Sequence, residues 1–319
     1  MKKILLGVIV ATICFSFWAG AQRAAPVKFA IFPSNNVGVV EIPNPQIYSR
    51  IVAISDIHGM WQNLFALLVT THLIDENMNW LGGKTLMVVV GDCIDKGPDS
   101  LYVIDFLMNL VPKARLSGGN VIVLLGNHEA EFLADPSNPK AADFLAELNR
   151  KRVPLEQVVS PAFPRGAFLR SMPLAARVGK FLFVHAGLYP QLPWVNFASQ
   201  AHLVLDSGNY GNDFLANPNS VLEAKDWWKD AGTRLALEAN LSANGMYGVV
   251  FGHMPDAFNV TNDVAQMDGK KLIKIDSGMA PEAGANPGHF LVFTTPSQLN
   301  NAAPPDALSM TRQGVSHPL

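Results

Sequence analysis

The chain has 319 residues, of which 49% are hydrophobic and 16% charged, and its formal charge is −2. That length suits one large α/β domain with its own core, and the balance excludes a disordered or membrane-embedded chain. No extended basic tract is present, so the electrostatic footprint of a nucleic-acid binder is missing.

The first segment stands apart. Met1-Lys2-Lys3, the apolar run from Ile4 to Trp18 and the small-x-small Ala19-Gly20-Ala21 predict a signal peptide over residues 1–21, cut before Gln22. The apolar run is short for a bilayer span, and Ile13 before Cys14 argues against lipidation. Cleavage would leave 22 Lys+Arg against 26 Asp+Glu, a charge of −4, with Cys93 as the single cysteine. The expectation is a periplasmic or secreted protein without an internal disulfide or a stable membrane association. Cys93 reads as a small buried residue.

Residues 22–295 read as the folded domain. Val27–Phe32 and Val37–Ile42, among several prolines, predict edge strands. Arg50–Ser55, Lys84–Val90 and Asn120–Leu125 are short, continuously apolar and β-branched, the pattern of buried strands. Met60–Leu73 and Ser100–Leu116 have helical apolar spacing and serve as crossovers. An insertion near 130–179 follows, with a helix at Ala141–Arg150. Phe181–Val184 and Tyr247–Phe251 read as further strands, flanking a second insertion near 188–245. Both insertions leave from the same edge and are expected to wall a cleft. Asp268-Gly269 between Asp263–Met267 and Lys271–Asp276 signals a hairpin. Gly288–Thr295 is expected to be the last strand, and 296–319 a flexible tail.

Each strand ends where its polar residues begin. Asp56-Ile-His58, Gly91-Asp92, Gly126-Asn127-His128-Glu129, His185-Ala-Gly187 and Gly252-His253 all sit at strand C-termini, where α/β sheets bind ligands. Asp56 to Asp92 is 36 residues and Asp92 to Asn127 is 35, one strand-helix-strand unit each. Crossovers of one hand bring these loops to one edge. Asp, His, Asp, Asn, His and His form a donor set able to hold two metal ions for phosphoester hydrolysis. Singly each motif is weak; the ordered set is strong.

Those segments, with Gly91-Asp92-Cys93-Ile94-Asp95-Lys96-Gly97 and Gly126-Asn127-His128-Glu129 at their centre, resemble the calcineurin-like metallophosphoesterases. More narrowly they resemble the phosphoprotein phosphatase branch. Trp80-Leu-Gly-Gly-Lys84, Gly97-Pro-Asp-Ser100 and Gly118–Gly126 are similar to its bacterial, Shewanella-like members. The resemblance covers about residues 50–294. It implies a metallophosphatase-type β-sandwich flanked by helices, with the dimetal site at strand C-terminal ends. It further implies Asp56, His58 and Asp92 on one ion and Asn127, His185 and His253 on the other, with Asp92 shared; the ions are Mn, Fe or Zn. Family members usually carry Arg where this chain has Lys96, and a Trp-aromatic-Arg segment where it has Trp227-Trp228-Lys229.

His128 directly follows a ligand, which suits a general acid, and Asp95 lies close enough in sequence to orient it. Against that, Asp95 before Pro98 also reads as a helix cap. Glu129 reads as a supporting residue. Lys96 and Lys229 are the candidate phosphate clamps, with Arg234, Arg165 or Arg170 as compensating cations. His72, His202, His289 and His317 have no motif and read as structural or exposed.

The expected activity is hydrolysis of phosphomonoesters, by hydroxide held between the metals with His128 as acid. The substrate would be a phosphorylated protein, peptide or small molecule. Gly252-His253-Met254-Pro255 lacks the Gly-His-x-His ending of many phosphodiesterases. A diadenosine-polyphosphate or nucleotide hydrolase is the alternative, and a non-catalytic binding protein a third reading.

Overall fold

The computed structural model describes residues 37–319. The expected signal peptide at 1–21 and the expected strand Val27–Phe32 lie outside the described residues. In chain order the elements are β1 (Val39–Ile42), β2 (Arg50–Ile54), α1 (Trp61–Thr70), β3 (Thr85–Val89), α2 (Ser100–Leu116) and β4 (Asn120–Val123). There follow α3 (Asn127–Ala134), α4 (Ala142–Lys151), α5 (Glu156–Val159), α6 (Pro164–Arg170), β5 (Ala175–Val178) and β6 (Phe181–Val184). The remainder is α7 (Trp194–Asp206), α8 (Asp213–Ala216), α9 (Ala231–Ala243), β7 (Gly248–Phe251), β8 (Ala265–Met267), β9 (Leu272–Lys274), β10 (His289–Phe293), β11 (Ala307–Thr311) and β12 (Ser316–Pro318).

The strands form two six-stranded sheets, ordered β1-β5-β6-β7-β9-β8 and β12-β11-β10-β2-β3-β4. They stack as a β-sandwich with helices outside, the expected fold class. Alternation along each strand explains why the apolar runs are unbroken. Ile51, Ala53, Leu86 and Val88 point inward, with Phe293 of their own sheet, and pack with Phe181, Phe183, Val250 and Ile273 of the facing strands. Val52, Ile54, Met87 and Val89 point outward and are covered by Leu64, Leu67, Ile104 and Leu107 of α1 and α2. A side chain on either face is therefore withdrawn from water.

Register places the site. In the parallel ladders Ile54 lies beside Val89, and Val89 beside Val123, so β2, β3 and β4 end level with one another. In the other sheet β6 runs parallel to β7, with Phe183 beside Val250. The loops after all five strands therefore open at one edge of the sandwich.

Two boundaries differ from the sequence reading. The first insertion ends before Ala175, because Ala175–Val178 is β5, paired with β1 and β6. The expected flexible tail at 296–319 is corrected as well: β11 pairs along the whole of β10, and β12 pairs with β11. Pro, Asn and Ala gave that segment a loop-like composition, while the short alternation in Ala307-Leu-Ser-Met-Thr311 carried the strand. Asp263 fastens this end across the sheets. Its carboxylate receives His289 Nδ1 at 2.8 Å, Ser309 Oγ at 2.5 Å and His317 Nε2 at 2.8 Å, so both histidines are structural. No helix among the described residues is long and apolar enough to cross a membrane.

Deleting residues 305–319 would strip β10 of its partner β11 and remove the packing of Ala307 and Ser309, both buried. The unfolding midpoint should fall, by about 2–4 °C for each kcal/mol of packing lost. Calorimetry of the shortened chain checks this, since removal of a loose tail would leave the midpoint in place.

Candidate dimetal centre

Six loop residues gather at the open edge. His58 Nε2 lies 3.8 Å from Asp56 Oδ1 and 3.5 Å from Asp92 Oδ2. His185 Nε2 lies 3.4 Å from Asp92 Oδ1 and 3.0 Å from Asn127 Oδ1. His253 joins the second group, its backbone N–H donating to Asp56 Oδ2 at 2.9 Å. Donor atoms of His58, Asp92 and His128 converge within 4.8 Å of one another, and so do those of Asp92, His185 and His253. Asp92 belongs to both groups. All six sequence-assigned ligands are therefore together.

The local chain is bent to do this. Asp56, His58, Asp92, Asp95, Lys96 and His253 all have left-handed φ, between +46° and +71°. Non-glycine residues adopt that conformation only when their surroundings impose it, and it clusters at functional sites. Two glycines are required by close approach. A Cβ on Gly252 would stand 2.2 Å from Asp56 Oδ2, and one on Gly126 would stand 2.2 Å from Asp92 Oδ1. α3 begins at Asn127, so Asn127, His128 and Glu129 point about 100° apart around its first turn. Asn127 faces the second group, His128 the first, and Glu129 turns under the loops.

Glu129 is a supporting residue, as read, and its support is extensive. The fully buried carboxylate accepts the backbone N–H groups of Asp92, Cys93, Ile94 and Gly126 at 2.7–3.1 Å. It clamps the loop after β3 to the start of α3. Burial and neighbouring Asp92 push its pKa up to about 7, against the pull of the Cys93 N–H. Burial also raises the Cys93 thiol well above its usual range, making it an inert core residue.

The donors suit metal ions. His58 Nδ1 is bonded to Ile94 O at 3.1 Å and His185 Nδ1 to Val90 O at 2.8 Å, which frees each Nε2 for the cluster. His253 Nε2 is buried without a hydrogen-bond partner, an arrangement costly for a polar atom unless something else binds it. Burial holds His58 down to about 3 and His253 down to about 2, so both are neutral with a lone pair to offer. His185 is opposite: burial opposes its charge, but Asp92 overrides it and raises the pKa to about 10. Asp92 is held well below the usual carboxylate range by His185 and His128, despite burial. Asp56 is raised, by burial first and then by Asp92. The pocket thus seeks positive charge beside Asp92, and two oxygen- and nitrogen-bound cations fit it.

His128 Nδ1 lies 3.1 Å from Asp95 Oδ2, and Asp95 Oδ1 accepts the Phe144 N–H from α4 at 3.2 Å. Asp95 therefore fixes a histidine and does not cap α2, whose flanking residue is Asp99. Burial opposes charge on His128, but Asp92 and Asp95 outweigh it and raise the pKa.

The cations divide. Lys96 stands beside the cluster, its charge bearing on Asp92 and Asp56, and pairs with Glu282 at 3.0 Å. Lys229 is exposed, paired with Asp226 at 3.0 Å over the Trp228 ring. The cation of that segment whose charge bears on His253 is Lys225, which the sequence reading missed; its only signal was proximity to the Trp-Trp-Lys stretch. Arg234 is corrected as a phosphate ligand. It bonds Trp228 O and pairs at 3.3 Å with Asp268, in the β8–β9 turn at the opposite end of the sheet. Arg165 grips Asp105 through two bonds, and Arg170 donates to Val159 O and stacks on Tyr210, so neither compensates. Lys274 was also missed. It is fully buried and donates to Pro255 O and Asp276 O, bracing the His253 loop.

A family model for calcineurin-like phosphoesterases matches residues 49–275. The chain belongs to the calcineurin-like phosphoesterase family. Within that family it is 32% identical over 142 residues to Shewanella-like protein phosphatase 1 of Plasmodium berghei, covering 44% of this chain and 39% of that protein. It is 28% identical over 182 residues to the symmetrical bis(5'-nucleosyl)-tetraphosphatase of Buchnera aphidicola, covering 54% and 57%. The matched stretches thus span well under two thirds of either relative. The crystal structure of a cold-active protein-tyrosine phosphatase from a Shewanella species superposes with a TM-score of 0.70 over 90% of this chain and 83% of that one, at 21% identity. That likeness bears out the phosphoesterase fold.

Glu129→Ala would leave four buried N–H groups without an acceptor. At roughly 1–3 kcal/mol for each orphaned group, partly relieved by water, the loss should be about 4 kcal/mol or more. Urea unfolding of the metal-free protein measures it; a loss below about 1 kcal/mol would show that the loops hold without the clamp.

Proposed function

We propose that this protein is an exported phosphatase that hydrolyses phosphomonoesters at a two-metal site, on phosphoserine, phosphothreonine or phosphotyrosine or on small phosphoesters. The observation that carries the reading is the His128–Asp95 pair beside a cluster that Asp92 shares between two ligand groups. A binding module has no use for a positioned proton donor at that place.

Asp56, His58 and Asp92 would hold one ion and Asp92, Asn127, His185 and His253 the other, with Mn, Fe or Zn suited to this mixed oxygen and nitrogen set. The pair of ions, when bound, supplies a water of lowered pKa and neutralises phosphoryl charge. The remaining work falls to the chain. Lys96 binds a phosphoryl oxygen as a point charge, and Lys225 adds positive field at the other flank. Asp95 holds His128 by Nδ1, which leaves Nε2 to deliver the proton to the departing alkoxide or phenoxide oxygen. Neutral Asn127 supplies an oxygen ligand without adding negative charge against an anionic substrate. The two insertions reach this edge: α4 contributes the Phe144 N–H to Asp95, and Trp227 Nε1 bonds Ala186 O beside His185.

Export rests on the leader at 1–21, and a mature mass beginning at Gln22 is its expected signature. An intact Met1 in secreted material would sink it.

The catalytic reading is tested on metal-loaded protein. Elemental analysis should give two ions per chain, with turnover lost on chelation. His128→Ala should slow kcat by about 10²–10⁴ on alkyl phosphates and by less on nitrophenyl phosphate, whose leaving group needs little protonation. Equal losses on both would make His128 structural. The match to the tetraphosphatase keeps a nucleotide reading in the panel: faster turnover of diadenosine tetraphosphate than of any monoester would replace the proposed substrate class.

A further inference from the structure

Lys96 already has an anionic partner, and that partner is the protein's own. Glu282 Oε1 lies 3.0 Å from Lys96 Nζ, at the tip of the loop joining β9 to β10. The side chain of Glu282 is 64% exposed and that of Lys96 27% exposed, so both ends of the pair face the mouth of the site.

The loop that carries Glu282 is held in place. Gly278 N donates to Asp276 Oδ1 at 2.9 Å, Asn286 N to Gly278 O at 2.9 Å and Ala285 N to Ala280 O at 3.0 Å. Asn63 on α1 donates to Asn286 O at 3.1 Å, which ties the loop to the helix following the Asp56–His58 turn. Lys96 is equally constrained, at φ +60° beside Asp95. Its ammonium lies in the field of Asp92 and Asp56 from the cluster and of Glu282 from outside. A carboxylate on a fixed loop thus faces a cation on a fixed turn, at the entrance to a site built for anions.

We propose that Glu282 is an internal competitor for Lys96, occupying the phosphoryl position on that cation until a substrate phosphate displaces it. The inference rests on the phosphoesterase reading and adds a regulating residue to that site. A phosphoryl dianion carries more charge than one carboxylate and also gains the metal cluster, so it wins the exchange. It then sits near the released Glu282, whose charge opposes it. Glu282 therefore weakens anion binding twice, by holding Lys96 and by repelling the occupant. A bidentate Arg could serve carboxylate and phosphate together; the single ammonium of Lys96 favours an exclusive exchange.

The test is calorimetric titration of inorganic phosphate into the metal-loaded full chain as wild type, Glu282→Gln, Lys96→Ala and the double variant, with metal content measured in each. Glu282→Gln should tighten phosphate binding by about two- to fivefold, the scale of a partly exposed ion pair. The same change should have no effect in the Lys96→Ala background. In steady state, Glu282→Gln should lower KM for monoesters by more than it changes kcat. Unaltered phosphate affinity in Glu282→Gln, or equal tightening with and without Lys96, overturns the proposal. Tightening in a protein that turns over no phosphoester would uphold the competition and defeat the hydrolytic reading. Turnover with unmoved phosphate affinity would do the reverse.

Discussion

Charge withdrawn from water governs this molecule. Asp56 and Asp92 are both almost fully buried, and an ionised carboxylate there is tolerated only beside compensating positive charge. Asp92 meets the demand through His185 beside one oxygen, while neutral His58 lies near the other. Every neighbouring element is arranged around that carboxylate. The Gly126 turn passes close because it lacks a Cβ, the His128 N–H donates to Asp92 Oδ1 at 3.1 Å, and Glu129 clamps the loop from beneath.

The same withdrawal sorts the histidines into roles. At His58 and His253 burial outweighs the pull of Asp92, and the ring stays neutral and offers a lone pair. Where Asp92 or Asp95 stands next to the ring, as at His185 and His128, the charged form is favoured. For His185 the Nε2 position between Asp92 and Asn127 suits a cation of any kind. For His128 the bonded Asp95 fixes the ring through Nδ1. Identical residue types in adjacent loops thus diverge through the balance between burial and the surrounding carboxylates.

Outside the cluster, positive charge is scarce and accounted for. Of the five basic residues singled out from the sequence, only Lys96 faces the ligands, and it is held by Glu282. Arg165, Arg234 and Lys229 are engaged with acids of the scaffold, which fixes the insertions and the hairpin in place. On the proposed function, a single committed ammonium plus the field of Lys225 would hold a phosphate less firmly than a pair of bidentate arginines.

The sequence by itself determined which residues gather at the site edge, the five strands that deliver them, both crossover helices and the pairing of His128 with Asp95. These were legible because each is local: a β-branched run ending in polar residues, or a motif of fixed spacing, is written in consecutive positions. Tertiary structure decided what depends on residues far apart. Whether Phe181–Val184 and Tyr247–Phe251 share a sheet with the first three strands is a matter of packing, and periodicity reads the same either way. The strand at Ala307–Thr311 became visible only as the partner of β10, since loop-like composition is overridden when an edge needs its hydrogen bonds met. The destinations of Lys96 and Arg234 were invisible for the same reason. A long flexible cation takes whichever carboxylate the fold brings within reach, and Glu282 and Asp268 were placed there by the loops between strands.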